Sequence, residues 1–364
     1  MPVRGRGLRK VLFVGEAPGK QEDEQGEQFV GAAGQVLQSV LDELDVDLND
    51  CWKTNAVACR PPKNEIDDQY IESCRPLLVS TIRELKPSVI ILLGMSAIKS
   101  LIGLEWTADM GTLGRWLGWL IPSPMFGAWL CPTYHPSYIN RMNNDAMLRQ
   151  IMRENIRSAL ELERAPLTCR PMAEWNSMVT CVLDGADARM RLFELSRAEG
   201  TLAFDYETTG LKPDHPDHRI VSAGFCLNGV DTFACAMTDD LLPILSKVLL
   251  NGDLSKIAAN LKFEERWTRA KLGHGVMNWG FDTMLATHVL DNRSEITGLK
   301  FQAYVRLGVP PYNTAVEGYL RATSANAINR ISQVPIRELL LYNGLDALFE
   351  YQLASRQLGQ LCHH

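Results

Sequence analysis

The stretch VLFVGEAPGKQEDEQGEQFVGAAG, residues 11–34, decides how this chain begins to fold. The apolar run at residues 11–14 ends at Gly15, as a buried strand of a parallel sheet does, and a polar glycine-rich loop follows. The loop has neither the Gly-Lys-Ser/Thr of a P-loop nor the G-x-G-x-x-G of a dinucleotide site. Its five carboxylates disfavour a bare anion. We therefore expect this loop to hold a neutral, flat, hydrogen-bonding ligand.

A second apolar run, VIILLG at residues 89–94, has the same form, and a helical pattern follows each run. Alternation of strands and helices is typical of an α/β sandwich around a parallel sheet. Ligands of such sheets bind outside the carboxyl ends of the strands. The loop that follows residue 14 lies at such an end, so we expect the binding site there.

Length and composition limit the class of protein. The 364 residues suggest two domains, and 46% hydrophobic with 22% charged residues is typical of a globular chain. No apolar run reaches the roughly 18 residues of a membrane span, and no signal-type apolar core follows the basic N-terminal residues. Nine cysteines without a C-x-x-C pair do not form a secreted disulfide framework. We expect a cytoplasmic protein without a membrane partner.

The net charge of −6 does not indicate nucleic-acid binding by bulk charge. If either half of the chain binds DNA, it requires a local basic strip and metal ions that offset its carboxylates.

Residues 163–177 contain two prolines and no hydrophobic period, which is typical of a connection between domains. We predict a first domain at 1–165, a linker at 166–177 and a second domain at 178–364. In the second domain, strands are predicted at 201–211, 218–229 and 230–237, and the pair Asn228-Gly229 predicts a hairpin. The longest helix is predicted at about 334–361.

Four segments of the first domain occur in a recognisable order: G-E-A-P-G (15–19), F-V-G (29–31), T-N-x-x-x-C-R-P-P (54–62) and H-P-S (135–137). Together they make residues 1–162 resemble the uracil-DNA glycosylase superfamily, and most closely its family 4 members. The resemblance implies an N-terminal α/β/α sandwich with a central parallel sheet. It also implies uracil-containing DNA as the substrate, with the base extruded into the loop after the first strand.

The resemblance assigns a role to each matched side chain. Asn55 would read the uracil edge, because an amide donates and accepts at once. Phe29 would stack on the flipped base, beside Gly15. His135 would donate to the departing uracil oxygen or hold the sugar-phosphate, and the loop at residues 138–141 would wedge into the vacated stack. The two remaining pocket residues, which would shape the site and position or activate water, are Glu16 and Glu22.

Family 4 enzymes typically carry a four-cysteine iron–sulfur cluster, two of whose ligands form an N-terminal C-x-x-C pair. Cys59 and Cys74 match the second pair, but no cysteine precedes the first strand here. Two thiolates do not hold a cubane cluster. Three alternatives stay open: the cluster is lost, the natural N-terminus is longer, or Cys51 or Cys131 substitutes.

The second domain offers carboxylates in separated segments. FDYETTGL places Asp205 and Glu207 two apart on a strand, and hence on one face. YNGLDALFEY places Tyr342 and Asp346 four apart on one face of a helix. NLKFEERW at 260–267 adds Glu264. Pairs of carboxylates of this kind bind divalent metal ions.

The segments D-x-E-T, N-L-K-F-E, F-D-T-M-L-A and Y-x-x-x-D make residues 175–364 resemble the 3′–5′ exonuclease domain of family-A DNA polymerases, an RNase H-like fold. The resemblance implies two Mg²⁺ or Mn²⁺ ions bound by Asp205, Glu207, Glu264 and Asp346, with Tyr342 orienting the attacking water. The family usually has Asp where this chain has Glu264.

The same resemblance implies single-stranded 3′ ends of DNA as the substrate. Asn260 and Lys262 would contact that strand. Asp282 is expected to cap its helix, and Glu265 to face away from the metals. The expected phosphate track consists of Lys262, Arg266, Arg269, Lys271 and Lys300.

We interpret the chain as a DNA-processing protein of phage-like replication or repair, with a polymerase module or replisome as a partner. One alternative keeps the exonuclease and makes the first domain a non-catalytic reader of uracil or DNA. A second alternative makes both halves non-catalytic binding modules or inhibitors within a replisome, and it predicts no nuclease activity with Mg²⁺ or Mn²⁺.

Overall fold

Residues 1–324 and 326–362 are described by this computed structural model. They divide into two units, Met1–Arg170 with Tyr304–Pro310, and Pro171–Ala303 with Pro311–His364. Within the described residues, no helix combines the length and the apolar character that crossing a membrane requires.

The first part of the chain alternates strands and helices, as its two apolar runs predict. Its elements are β1 (Val11–Gly15), α1 (Lys20–Gln25), α2 (Ala32–Asp42), β2 (Trp52–Asn55), α3 (Asp68–Leu85), β3 (Val89–Leu93), α4 (Met95–Glu105), α5 (Leu113–Trp116), β4 (Ile121–Ser123), β5 (Ala128–Thr133), α6 (Pro136–Arg141) and α7 (Ala146–Leu160).

These strands form one sheet in the order β2-β1-β3-β5-β4. The first four strands are parallel, and β4 adds to the edge in the antiparallel sense. Val11 and Phe13 face a core made with α2 and α7, while the alternate residues Leu12 and Val14 are equally buried on the other face, where α4 packs. Both faces are therefore covered, which explains the continuous apolar runs.

From residue 171 onward the elements are α8 (Met172–Ser177), β6 (Val179–Val182), α9 (Gly185–Leu195), β7 (Gly200–Thr208), β8 (Ile220–Leu227), β9 (Asp231–Ala236), α10 (Leu242–Leu249), β10 (Leu254–Ala258), α11 (Lys262–Leu272), β11 (Trp279–Asp282), α12 (Thr283–Leu290), α13 (Leu299–Leu307), α14 (Glu317–Leu320) and α15 (Ile336–Cys362).

The second sheet is mixed, in the order β11-β10-β7-β8-β9-β6. The meander β7-β8-β9 is antiparallel, and β10, β11 and β6 join it in parallel pairs. One face carries an apolar core with α9 and α10, and the long helix α15 packs across strands of the same sheet. The predicted hairpin is confirmed, since Asn228 and Gly229 both have positive φ between β8 and β9. The two predicted α/β architectures are confirmed.

Two segments differ from expectation. Residues 138–141, expected as a loop, belong to helix α6, because Pro136 occupies its first turn and His135 caps it. Part of the predicted linker, Met172–Ser177, forms α8, whose Trp175 packs edge-to-face on Phe349 at 5.2 Å between ring centroids. That aromatic contact gives a short proline-flanked segment a buried anchor.

Candidate functional site

A cavity of about 580 Å³ opens where β1 ends, as the parallel sheet predicts. Its lining includes five of the residues predicted for the base pocket: Glu16, Glu22, Phe29, Asn55 and His135. They come from the segment between β1 and α2, which includes α1, from the end of β2 and from the residue that caps α6. The structure therefore brings together at one pocket side chains that are up to 119 positions apart in the sequence, and the resemblance had grouped the same residues.

Gly15 lacks a side chain, and this leaves space for two side chains of the pocket. A Cβ atom there would lie 2.4 Å from Asn55 Oδ1 and 3.0 Å from Phe29 Cζ, so only glycine lets both side chains approach. Phe29 itself has φ of 59°, the left-handed region, which costs a side chain about 1–2 kcal/mol. Gly34 holds this backbone, since a Cβ there would fall 1.8 Å from Phe29 O. Strain is thus stored beside the pocket.

His135 is held in one tautomer by its cap. Its Nδ1 accepts the Ser137 backbone N–H at 3.2 Å and lies 2.7 Å from Ser137 Oγ, to which Arg141 donates at 3.1 Å. Because Nδ1 accepts, the ring proton resides on Nε2. Burial lowers the pKa of His135, and the nearby carboxylate of Glu16 opposes this only in part. The pocket therefore contains a neutral imidazole with an N–H donor.

The two predicted pocket carboxylates have separate supports. Glu22 Oε1 accepts the N–H of Gly31 at 2.8 Å, at the start of α2. Glu16 Oε1 accepts from Ser96 Oγ at 3.4 Å, and its Oε2 lies 3.9 Å from His135 Nδ1. Sequence reasoning missed Ser96, although it follows the predicted strand ending at Gly94 by two positions.

The cysteines are the possible ligands of an iron–sulfur cluster. Cys74 Sγ accepts the N–H of Ala58 at 3.4 Å, and Cys59 is exposed. Cys51 and Cys131 instead lie in the apolar core beneath the sheet, where burial raises both thiol pKa values, that of Cys51 to about 12. A cluster ligand must be a thiolate. Cys59 and Cys74 supply two of the four thiolates that a cubane cluster needs.

A second site lies in the second sheet. Carboxylate oxygens of Asp205, Glu207 and Asp346 all lie within 4.8 Å of one another. Asp205 and Glu207 are on one face of β7, and Asp346 faces them from α15. Asn343 Nδ2 fixes Asp205 by donating to its Oδ2 at 2.7 Å, and Ser222 Oγ in turn donates to Asn343 Oδ1.

The described residues place too little positive charge around Asp205 and Glu207 to keep the pKa values of these carboxyl groups at their usual level. Burial raises the pKa of Asp205 and of Glu207, and the charge of Asp346 raises both further. Hard carboxylate oxygens at this spacing fit Mg²⁺ or Mn²⁺, which would favour the ionised form of each group. The residues that would hold a divalent ion are therefore Asp205, Glu207 and Asp346.

Glu264 does not join this group of three. It lies in the first turn of α11, 1% exposed, where burial raises its pKa and Asp205 contributes. Its Oε2 is buried without a hydrogen-bond partner. A carboxylate oxygen in that state needs a cation, a proton or a water molecule as its partner. The residue is close enough to Asp205 for the charge of that carboxylate to raise its pKa.

Sequence reasoning missed a fifth carboxylate. Glu350 lies one helical turn after Asp346 on α15 and is 0% exposed. Its Oε1 accepts the N–H of Ala259 at 3.0 Å, and its Oε2 is buried without a partner. Burial and then Asp205 and Glu264 raise its pKa. The signal in the sequence was its i+4 spacing from Asp346.

Two further side chains complete the site. Lys300 Nζ donates to Asp346 Oδ2 at 2.7 Å and to Tyr342 Oη at 2.8 Å. Tyr312 donates to Asp346 Oδ1. Burial, followed by the charges of Asp346 and Glu207, raises the pKa of Tyr342, so its hydroxyl stays protonated. Tyr342 can therefore orient a water molecule but cannot serve as its base.

The remaining predicted residues of the second domain have the following contacts. Asp282 caps α12 and also accepts the N–H groups of Asn260 and Leu261, as expected for a structural role. Glu265 bonds Arg269 and Trp279 and does not join the carboxylate group. Lys262 is exposed at the start of α11. Of the expected phosphate track, Lys300 is the member that reaches the carboxylates.

Residues 4–156 match the family model of the uracil DNA glycosylase superfamily. The type-4 uracil-DNA glycosylase of Pyrobaculum aerophilum is 43% identical over 148 residues, which are 38% of this chain and 73% of that protein. This chain belongs to the uracil-DNA glycosylase superfamily. That match ends at residue 156. Residues 182–358 match a second family model, described as 3′-5′ exonuclease. The chain joins a superfamily domain to a 3′–5′ exonuclease domain of the DNA polymerase A type.

Two other similarities are found. A DNA polymerase of Bacillus phage SP01 is 24% identical over 353 residues, which are 87% of this chain and 37% of that polymerase. The structure of a Trypanosoma brucei RNase D in complex with GMP aligns with a TM-score of 0.41 at 13% identity, covering 51% of this chain and 59% of that one. The two domain families support a DNA-binding, DNA-processing hydrolase that has nuclease activity.

Proposed function

We propose that this superfamily member hydrolyses DNA from its 3′ end in a reaction dependent on Mg²⁺ or Mn²⁺, and that its other domain excises uracil. The domain bounds proposed are 1–165 and 178–364, joined by 166–177. The observation that carries the nuclease part is the convergence of Asp205, Glu207 and Asp346 within 4.8 Å. Three carboxylates from β7 and α15 at that spacing support a shared divalent ion.

In the proposed nuclease, Asp205, Glu207 and Asp346 would hold the divalent ions, whose positive charge would stabilise the attacking and leaving oxygens of an in-line displacement. The chain contributes the rest. Tyr342 stays protonated and donates to or accepts from the attacking water, with Lys300 fixing its hydroxyl at 2.8 Å. Glu264 is proposed as the carboxylate that acts on metal through water, replacing the usual Asp. Asn260 and Lys262 are proposed contacts to the strand.

In the proposed glycosylase, Asn55 reads the uracil edge and Phe29 stacks on the ring, inside the cavity of about 580 Å³. When the glycosidic bond breaks, the base leaves with negative charge on its oxygen. His135, held neutral with its proton on Nε2, is proposed to donate a hydrogen bond to that oxygen. Glu16 and Glu22 are proposed to position the water that attacks the sugar.

The relation to a polymerase is a further part of the proposal. Alignment with the Bacillus phage DNA polymerase runs across both domains, while this chain spans little more than a third of that protein. This supports a proofreading-type exonuclease next to a polymerase module or within a replisome of phage-like replication or repair. The alternative of a non-catalytic uracil reader is favoured by one observation, the match of only Cys59 and Cys74 to the cluster ligands.

One experiment tests both activities on the full chain. A single-stranded oligonucleotide with one uracil and nuclease-resistant linkages at its 3′ end is incubated in EDTA and then treated with alkali. Cleavage at the uracil is expected, because base release needs no divalent ion in this proposal. An intact strand would make the first domain a reader. An unprotected strand in Mn²⁺ should release mononucleotides, and failure to do so would remove the nuclease assignment.

A further inference from the structure

Lys300 stands out in the carboxylate site because it bonds a proposed metal ligand and the proposed water-orienting residue at once. Its Nζ lies 2.7 Å from Asp346 Oδ2 and 2.8 Å from Tyr342 Oη. Within residues 1–324 and 326–362, the ion pair between Lys300 and Asp346 is the one that joins a Lys or Arg to any of the five carboxylates Asp205, Glu207, Glu264, Asp346 and Glu350. Lys300 therefore supplies the site's own positive charge.

Asp346 has both of its oxygens engaged. Lys300 takes Oδ2, and the hydroxyl of Tyr312 donates to Oδ1. A divalent ion that uses Asp346 together with Asp205 and Glu207 needs one of these oxygens. The Lys300 contact is the one that opposes the ion directly, because an ammonium and a metal ion repel each other at such distances.

We propose that Lys300 holds a cation position at Asp346 before metal binds, and that an incoming divalent ion displaces its ammonium from that carboxylate. The displaced ammonium has a place to remain, since it lies 4.7 Å from the ring centroid of Tyr342 and 5.5 Å from that of Tyr312. Lys300 keeps its bond to the Tyr342 hydroxyl, so it is a positioning residue for the water-orienting tyrosine.

The carboxylate count supports this exchange. With all five groups ionised the site carries five negative charges, and Glu264 and Glu350 each have one buried oxygen without a hydrogen-bond partner. Two divalent ions and one ammonium would balance five carboxylates, whereas the ammonium alone leaves most of the charge unmatched. The five negative charges can therefore be neutralised by the lysine and two divalent ions together, provided that the ammonium and a metal ion do not both contact Asp346.

The test compares Lys300→Met, Lys300→Arg and a charge-matched control, Lys247→Met, whose side chain is exposed on α10. Mn²⁺ binding to the full chain is measured by calorimetry or by electron paramagnetic resonance, without DNA. Lys300→Met should bind Mn²⁺ about tenfold more tightly or better, because a competing charge within the site is removed. Lys300→Arg retains the charge and should stay close to wild type, as should Lys247→Met.

A structural role alone predicts the opposite sign, since damage to the site would weaken Mn²⁺ binding. Unchanged or weaker binding in Lys300→Met, with wild-type thermal unfolding in excess Mn²⁺, would overturn the proposal. If Lys300→Met does not fold without metal, Lys300→Gln, which is neutral but retains a donor, provides the same comparison. The thermal shift on adding Mn²⁺ should be larger in the neutral variants than in wild type.

This inference rests on the proposed metal-dependent nuclease, yet the two can fail separately. Tighter Mn²⁺ binding in Lys300→Met by a protein that releases no mononucleotide would support the lysine exchange and sink the nuclease. Mononucleotide release by wild type, with no gain in Mn²⁺ affinity in Lys300→Met, would do the reverse. In an active nuclease, Lys300→Met should also lower kcat, because Tyr342 loses the bond that positions its hydroxyl.

Discussion

The base pocket after β1 and the carboxylate site on β7 and α15 respond to the same physical condition in opposite ways. Burial favours the uncharged form of any titratable group. In the base pocket that form is the useful one, since a neutral His135 is a hydrogen-bond donor. In the carboxylate site it is the useless one, since Asp205 and Glu207 must be ionised to bind metal. The base pocket therefore uses the uncharged form of its titratable group, and the carboxylate site uses the ionised form.

The largest expected effect is a loss of nuclease activity that leaves uracil excision unchanged. Asp205→Ala removes one of the carboxylates proposed to hold the metal ions and should lower mononucleotide release by about 10³-fold or more, since metal ions supply several kcal/mol of transition-state stabilisation. Release is measured on 3′-labelled single-stranded DNA in Mn²⁺. Uracil excision in EDTA by the same variant should be unchanged, and a variant that keeps full nuclease activity would remove Asp205 from the site.

The matching change in the base pocket is His135→Leu, which removes the ring N–H donor. Loss of one donor to a developing oxyanion typically costs about 10²-fold, and we expect that loss in uracil excision. The rate is measured by alkaline cleavage of a uracil-containing strand in EDTA. Nuclease activity serves as the control and should not change. Wild-type excision by this variant would show that His135 does not touch the departing base.

Acidification should affect the two sites in different ranges of pH. Because the pKa of His135 lies below its usual value near 6.5, uracil excision should begin to fall at a lower pH than the titration of an ordinary imidazole would give. The carboxylates have raised pKa values, so protons compete with metal and Mn²⁺ affinity should fall, by up to about tenfold per pH unit for each proton displaced. Excision that falls together with Mn²⁺ affinity would contradict this comparison.

The smallest effect concerns stability. Glu350 has a folded pKa above its unfolded value near 4.3, so the folded chain binds more protons there. Its contribution to stability is therefore present below that unfolded value and is lost as pH rises through the folded pKa. Glu350→Gln should raise the Tm of the metal-free chain at pH 8 by about 2–4 °C. At pH 4 the gain should vanish, and a gain that persists there would assign it to packing.

Local patterns predicted much of this molecule. The apolar runs at residues 11–14 and 89–93 form the buried parallel strands, because both faces of that sheet are covered. The two-residue period of a strand puts Asp205 and Glu207 on one face, and the turn of a helix aligns Tyr342 with Asp346. The family motifs predicted which side chains line the base pocket. The patterns did not predict three residues that accompany the site side chains. Ser96 donates to Glu16, Glu350 lies one helical turn after Asp346, and Tyr312 donates to Asp346 Oδ1.

The two buried strands of the first sheet, the turn at Asn228 and Gly229 and the types of residue at each site follow from the sequence alone, because period, glycine and carboxylate chemistry are local properties. Tertiary structure decided which charges meet. Lys300 is 46 positions from Asp346, and nothing near it in the sequence marks it as the partner of a buried carboxylate. Burial and Coulomb attraction depend on distances in space, so the protonation of His135 and the cation balance at Asp346 are determined only once the chain is folded.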